Sequence, residues 1–151
     1  MDRRWMFKWA AAGAGLASLV ATARAQENKK LHKIVLHVGF NSEESMKTAL
    51  NNAKNAYEVY SKLGEEVTME IVANSGGLHM LRDDTSPVKE QIRELLKLDP
   101  KVALSACNNT KTGMEKKEGK PVPIISEARV VPAGIVRLAE LQEQGFAYVR
   151  P

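Results

Sequence analysis

Residues 33–74, "KIVLHVGFNSEESMKTALNNAKNAYEVYSKLGEEVTMEIVAN", carry the pattern that decides the fold. The segment opens on "KIVLHVGF" (33–40), a β-rich apolar run that reads as a buried strand. It closes on "EEVTMEIVAN" (65–74), where Val67, Met69, Ile71 and Val72 give a second strand. Between them Met46, Leu50, Ala53, Tyr57, Tyr60 and Leu63 recur every three or four residues. That spacing lays one apolar face along a helix of five turns. Asn41, with Glu44 three residues on, forms a capping-box pattern at its start, and Gly64 ends it. A strand, a long helix and a second strand make the crossover unit that joins parallel strands.

The rest of the chain repeats this alternation. "SGGLHMLRDDT" (75–85) reads as a loop. Ser86 is placed to cap a second helix, with Pro87 at its first position. Val88, Ile92, Leu95 and Leu96 supply the buried face, and Asp99-Pro100 stops it. "KVALSAC" (101–107) is the third strand. "NNTKTGMEKKEGKPV" (108–122) is polar and interrupted by Gly113 and Gly119, which predicts a loop with one or two helical turns at most. "IISEARVV" (124–131) is the fourth strand. Pro132 opens a last helix with Ile135, Leu138 and Leu141 inward, Gly145 closes it, and "FAYVRP" is the final strand. Such alternation implies an α/β fold, a parallel sheet covered by helices on both faces. Ligands in such folds bind at the carboxyl ends of the strands. Three unusual loops are expected there: "NSGGLH", "CNNT" and "VPAG".

The first 25 residues have the organisation of a cleavable leader. Arg3-Arg4 is followed by Met6, Phe7 and Lys8, then by the mild apolar run "WAAAGAGLASLVA" and the small-x-small site Ala23-Arg24-Ala25. The run is too short to span a bilayer, so it reads as a removable signal rather than an anchor. Paired arginines before a mild apolar stretch point to the twin-arginine route; an ordinary secretion signal is the other reading. Either places the mature protein in the periplasm. Cleavage near Ala25 leaves 126 of the 151 residues, one domain. Arg3, Arg4, Lys8 and Arg24 against Asp2 account for +3 of the net charge of +4, so the domain at 26–151 carries about +1. Both tryptophans, Trp5 and Trp9, leave with the leader. A near-neutral domain without aromatics interleaved among basic residues argues against a nucleic-acid partner.

Cys107 is the one cysteine in the chain. An unpaired thiol in an oxidising compartment is a liability unless it is buried or used. It ends a strand just before a possible helix start, where backbone N–H groups favour a thiolate. Asn108, Thr110 and the neighbouring Asn109 and Thr112 add donors for a thiolate or bound anion. The plain alternative is a buried cysteine that packs as a small hydrophobe. Metal binding has little support. No H-x-x-H or C-x-x-C occurs, and His37 reads as a strand or lining residue. A pairing of Cys107 with His79 is the one geometric option, so neither a metal nor a cofactor is expected. Gly76-Gly77 lacks the phosphate-loop pattern and reads as a tight turn beside a small site.

Four stretches carry a resemblance over essentially the whole mature chain: "KIVLHVGF", "EIVANSGGLHML" (70–81), "LSACNNT" (104–110) and "VVPAGIVRLAELQEQGFAYVRP" (130–151). The chain resembles the DsrE/DsrF-like sulfur-relay family, in particular its small exported single-domain members. The resemblance implies a three-layer α/β/α sandwich with a mainly parallel five-stranded sheet, assembled as a homo-oligomer, a trimer or hexamer. It implies that Cys107 carries sulfane sulfur as a persulfide and exchanges it with a donor or acceptor protein. It also implies that Asn74, Ser75, Gly76 and Gly77, with Pro132, Ala133 and Gly134, line the pocket. The export signal departs from the cytoplasmic relays, which are hetero-oligomers. Two rivals stay open: a binding module whose pocket Cys107 only lines, and a redox sensor that forms an intermolecular disulfide. Thiol reactivity in the native state separates the first, and non-reducing electrophoresis after mild oxidation the second.

Overall fold

The computed structural model describes residues 29–151, and the leader proposed for residues 1–25 lies outside them. Strand β1 (Leu31–Val38) leads into helix α1 (Glu43–Lys62) and strand β2 (Glu66–Ala73). A 3-10 helix (Ser75–Leu81) and helix α2 (Lys89–Leu98) follow, then strand β3 (Ala103–Cys107) and helix α3 (Asn108–Glu118). Strand β4 (Arg129–Val131), helix α4 (Gly134–Glu143) and strand β5 (Ala147–Val149) complete the chain. The five strands lie in the order β4-β3-β2-β1-β5, and every pairing is parallel.

This order sets the layers. The steps from β1 to β4 all move the same way across the sheet, so right-handed crossovers place their helices on one face. The return from β4 to the opposite edge sends α4 to the other face. The two cores match. Leu36, Val38, Met69, Ile71, Leu104 and Ala106 pack with Met46, Leu50 and Ala53 of α1 and Ile92 and Leu95 of α2. On the opposite face Val35 and Val72 meet Leu138 and Leu141 of α4, with Phe146 against them. Each fully buried aliphatic side chain of this kind contributes about 1.5–3 kcal/mol. The result is a three-layer α/β/α arrangement. Adjacent strands β3 and β4 send their following helices to opposite faces, which opens a switch point between their carboxyl ends, where such sheets bind ligands.

Several elements differ from expectation. Ser42 rather than Asn41 caps α1, its Oγ accepting the Ser45 N–H at 3.2 Å. The loop after β2 winds into the 3-10 helix and buries Leu78, Met80 and Leu81. Helix α2 starts at Lys89, so Pro87 lies outside it. Ser86 Oγ accepts from the Val88 N–H at 3.3 Å and donates to the Met80 carbonyl at 2.6 Å, tying the approach to the helix. The polar stretch 108–122 holds a full helix, α3, that buries none of its residues. A helix without a buried face has no apolar period to read. It is supported by the Lys111–Glu115 pair one turn apart and by Gly119 in the left-handed capping conformation. Strand β4 is only three residues long, because Ile124 instead makes an isolated antiparallel bridge to Arg82. In α4, Ile135 points outward at 69% exposure, and Leu138 and Leu141 carry the buried face.

Candidate functional site

Cys107 stands at the carboxyl end of β3 and is the N-cap residue of α3. It lies at the switch point, beside the start of α4. The residue is 5% exposed. Burial pushes its thiol up, but the Thr110 hydroxyl and the backbone N–H groups of Gly134, Thr110 and Asn109 outweigh that, and the thiol lies below its ordinary value. The neutral sulfur closes no capping hydrogen bond of its own. The donors gain their strength against the thiolate, as N–H dipoles at a helix start do. Thr110 is oriented for this role. Its Oγ1 accepts the Ser75 N–H at 3.0 Å, which leaves its own O–H for the sulfur.

The residues expected around the thiol divide into two groups. Asn74, Ser75, Thr110 and Gly134 are brought together with Cys107. A Cβ at Gly134 would stand 3.3 Å from Cys107 Cβ, 3.3 Å from Asn74 Nδ2 and 2.9 Å from Asn74 Cβ, so only glycine lets α4 begin there. Ser75 has φ of 48°, a left-handed conformation that costs a non-glycine residue about 1–2 kcal/mol and is held by its bond to Thr110. Pro132 is exposed, and its carbonyl accepts the Asn109 N–H at 3.3 Å, joining the β4 loop to the first turn of α3. Ala133 is the N-cap residue of α4. Gly76 and Gly77 face elsewhere. Their added Cβ atoms would meet Asn41 N at 2.7 Å and Val38 O at 2.0 Å, so these glycines seat the loop on the end of β1. Asn108 and Asn109 are both exposed, and of the two only the Asn109 N–H, which it shares with the Pro132 carbonyl, bears on the thiol.

Two further clusters were not found from sequence. His37 Nε2 meets Asn74 Oδ1 at 2.9 Å, and His37 Nδ1 meets the Tyr148 hydroxyl at 2.6 Å. A carboxamide oxygen only accepts, so neutral His37 carries its proton on Nε2 and accepts from Tyr148 at Nδ1. This assigned chain runs from β5 through β1 to Asn74. The second cluster lies under α4. Glu70, 3% exposed, accepts from Ser105 Oγ at 2.6 Å, from Arg129 Nη2 at 2.7 Å, and from Arg137 Nε at 2.8 Å and Nη2 at 2.7 Å. Burial pushes its carboxyl up, yet the bonds from Arg137, Ser105 and Arg129 hold it lowered to about 2. Arg137 lies one turn into α4, so this ion cluster fixes the helix that presents the Gly134 N–H to Cys107. The warning in the sequence is a charged residue, Glu70, inside the apolar run Met69–Ala73.

His79 Nδ1 lies 3.4 Å from Thr85 Oγ1 rather than pairing with Cys107. Among the described residues, no three His, Cys, Asp or Glu side chains group so as to hold a metal ion. No described helix is long and apolar enough to cross a membrane.

No family model and no curated protein matches the chain. Among solved structures it is similar to the protein of unknown function MTH1491 from Methanobacterium thermoautotrophicum, with 28% identity and a TM-score of 0.65. The match covers 80% of this chain and 99% of that one. The α/β architecture is therefore shared along the full length of that protein.

Proposed function

We propose that this chain is an exported sulfur carrier of the DsrE/DsrF-like relay type, holding sulfane sulfur as a persulfide on Cys107. The observation that carries the reading is the thiol itself: buried, at the carboxyl edge of the sheet, and lowered by converging N–H and O–H donors. Export rests on the leader, and the relay family on the four stretches that resemble it.

The chemistry needs no cofactor. The Cys107 thiolate attacks the outer sulfur of a donor persulfide, R–S–SH. A bond forms between Sγ and that sulfur, the donor S–S bond breaks, and its electron pair leaves on R–S⁻. The same exchange in reverse delivers the sulfur to an acceptor thiol, with no net oxidation. Donors at the helix start stabilise the anion in each direction. Mass spectrometry after polysulfide treatment tests this. Wild type gains whole sulfur atoms and Cys107→Ser gains none; equal gains in both, or none in either, end the carrier reading.

The low exposure of Cys107 favours a second reading, a binding module in which the thiol only lines the pocket. A thiol that titrates solely after unfolding would select it.

A further inference from the structure

Between β4 and α4 lies a cavity of about 230 Å³. Arg129 and Val131 reach it from one face of β4, and Val136 and Glu140, one turn apart, reach it from α4. Val131, Val136, Pro132 and Ala133 give it an apolar wall. Its charged residues are only partly used by the protein. Arg129 Nε donates to Ser105 Oγ at 3.0 Å and Nη2 to Glu70 at 2.7 Å, but Nη1 has no partner among the described residues. Glu140 Oε2 accepts from Arg137 Nη1 at 3.3 Å, and its Oε1 has no donor among the described residues. The Arg129 and Glu140 side chains are 51% and 50% exposed. A cation and an anion, each with a free hydrogen-bonding atom, therefore border one small apolar cavity.

We propose that this cavity binds a free amino acid with a small aliphatic side chain, its carboxylate on Arg129 and its ammonium on Glu140. Charge decides the class. Arg129 and Arg137 are offset by Glu70 and Glu140, so the site has no net charge. A bare anion drawn to Arg129 would meet the Glu140 carboxylate, and a bare cation drawn to Glu140 would meet two guanidinium groups. A ligand with both charges finds an opposite charge for each and leaves the balance intact. Size narrows it further. The cavity is smaller than the roughly 300–1,000 Å³ of sites for drug-sized ligands, and its wall is aliphatic. The bonds from Arg129 to Glu70 and Ser105 hold its guanidinium in place before any ligand arrives, which lowers the cost of binding. Val131 pairs with Cys107 across the β3–β4 ladder, but the thiol does not line the cavity. The site holds whether or not Cys107 carries sulfur.

Isothermal titration calorimetry of the purified protein with L-valine as the probe tests this. Valine should bind. N-acetylvaline, which lacks the ammonium, and valinamide, which lacks the carboxylate, should each bind about tenfold more weakly, as loss of one charged hydrogen bond implies. Glu140→Gln should weaken valine about tenfold and bring N-acetylvaline level with it. Arg129→Lys keeps a charge beside Glu70 but removes the free Nη1, and should weaken valine while leaving valinamide unchanged. The Glu140 side chain is half-exposed, so Glu140→Gln decides the matter if Arg129→Lys does not fold. No binding of valine up to about 10 mM overturns the proposal. Valine binding that is equal in wild type and both variants overturns it as well. N-acetylvaline that binds wild type as tightly as valine does marks a plain anion site and overturns the amino-acid assignment.

Discussion

At Cys107 two opposing effects set the chemistry. Burial favours the neutral thiol, while Thr110 and three backbone N–H groups favour the thiolate and prevail. The Ser75 N–H bond to Thr110 Oγ1 fixes the side chain while its O–H remains a donor. Thr110→Val keeps the shape and removes that O–H. It should raise the Cys107 pKa, seen as an alkylation profile moved to higher pH; an unmoved profile would mean the backbone donors suffice. The cysteine and its loops were legible in sequence because strand-end loops, glycines and an isolated thiol are local features. His37 and Tyr148 were not, since they are 111 residues apart and only the β1–β5 pairing joins them. That the backbone of Asn109 and not of Asn108 bears on the thiol was not legible for a similar reason: which residue of a helix's first turn turns its N–H to a given atom depends on backbone geometry.

Among the elements, α4 matters most, because it brings Gly134 to the thiol. It is held by Leu138 and Leu141 on the apolar side and by Arg137 on Glu70. The Glu70 carboxyl is lowered to about 2 from an ordinary 4.5. Its stabilisation is fully present above the ordinary value and is lost as pH falls from about 4.5 toward 2. A shift of that size corresponds to about 3 kcal/mol. Asp84, lowered to about 2 by its bond with buried Arg82, adds to the same acid transition. Melting temperatures between pH 5 and pH 2 check this. Wild type should fall steeply, and Glu70→Gln should start lower and fall less. An identical acid slope in Glu70→Gln would remove Glu70 from the explanation. The elements with a buried face were readable from their apolar pattern: α1, α2, α4, β1, β2 and β3. Helix α3 buries no residue fully and packs only half-buried Met114 against the core, so it leaves little periodic trace, whereas β4 falls within the expected strand 124–131 but is cut short by a bridge between distant residues.

In the whole molecule, the strand order gathers Asn74, Cys107 and Gly134 from three separate segments at one edge of the sheet. Near that edge Val130, Ile135 and Val136 are 48%, 69% and 53% exposed. A homo-oligomer of the kind the sequence resemblance implies would have this apolar surface to cover; light scattering that finds only monomer at micromolar concentration would remove that expectation. The central claim is that the native fold makes Cys107 a reactive thiolate, and the pH dependence of its alkylation in the folded protein tests this most directly. The predicted result is a single inflection below that of the same thiol in the unfolded chain. An inflection at or above that value, or no reaction until the protein is unfolded, would contradict it.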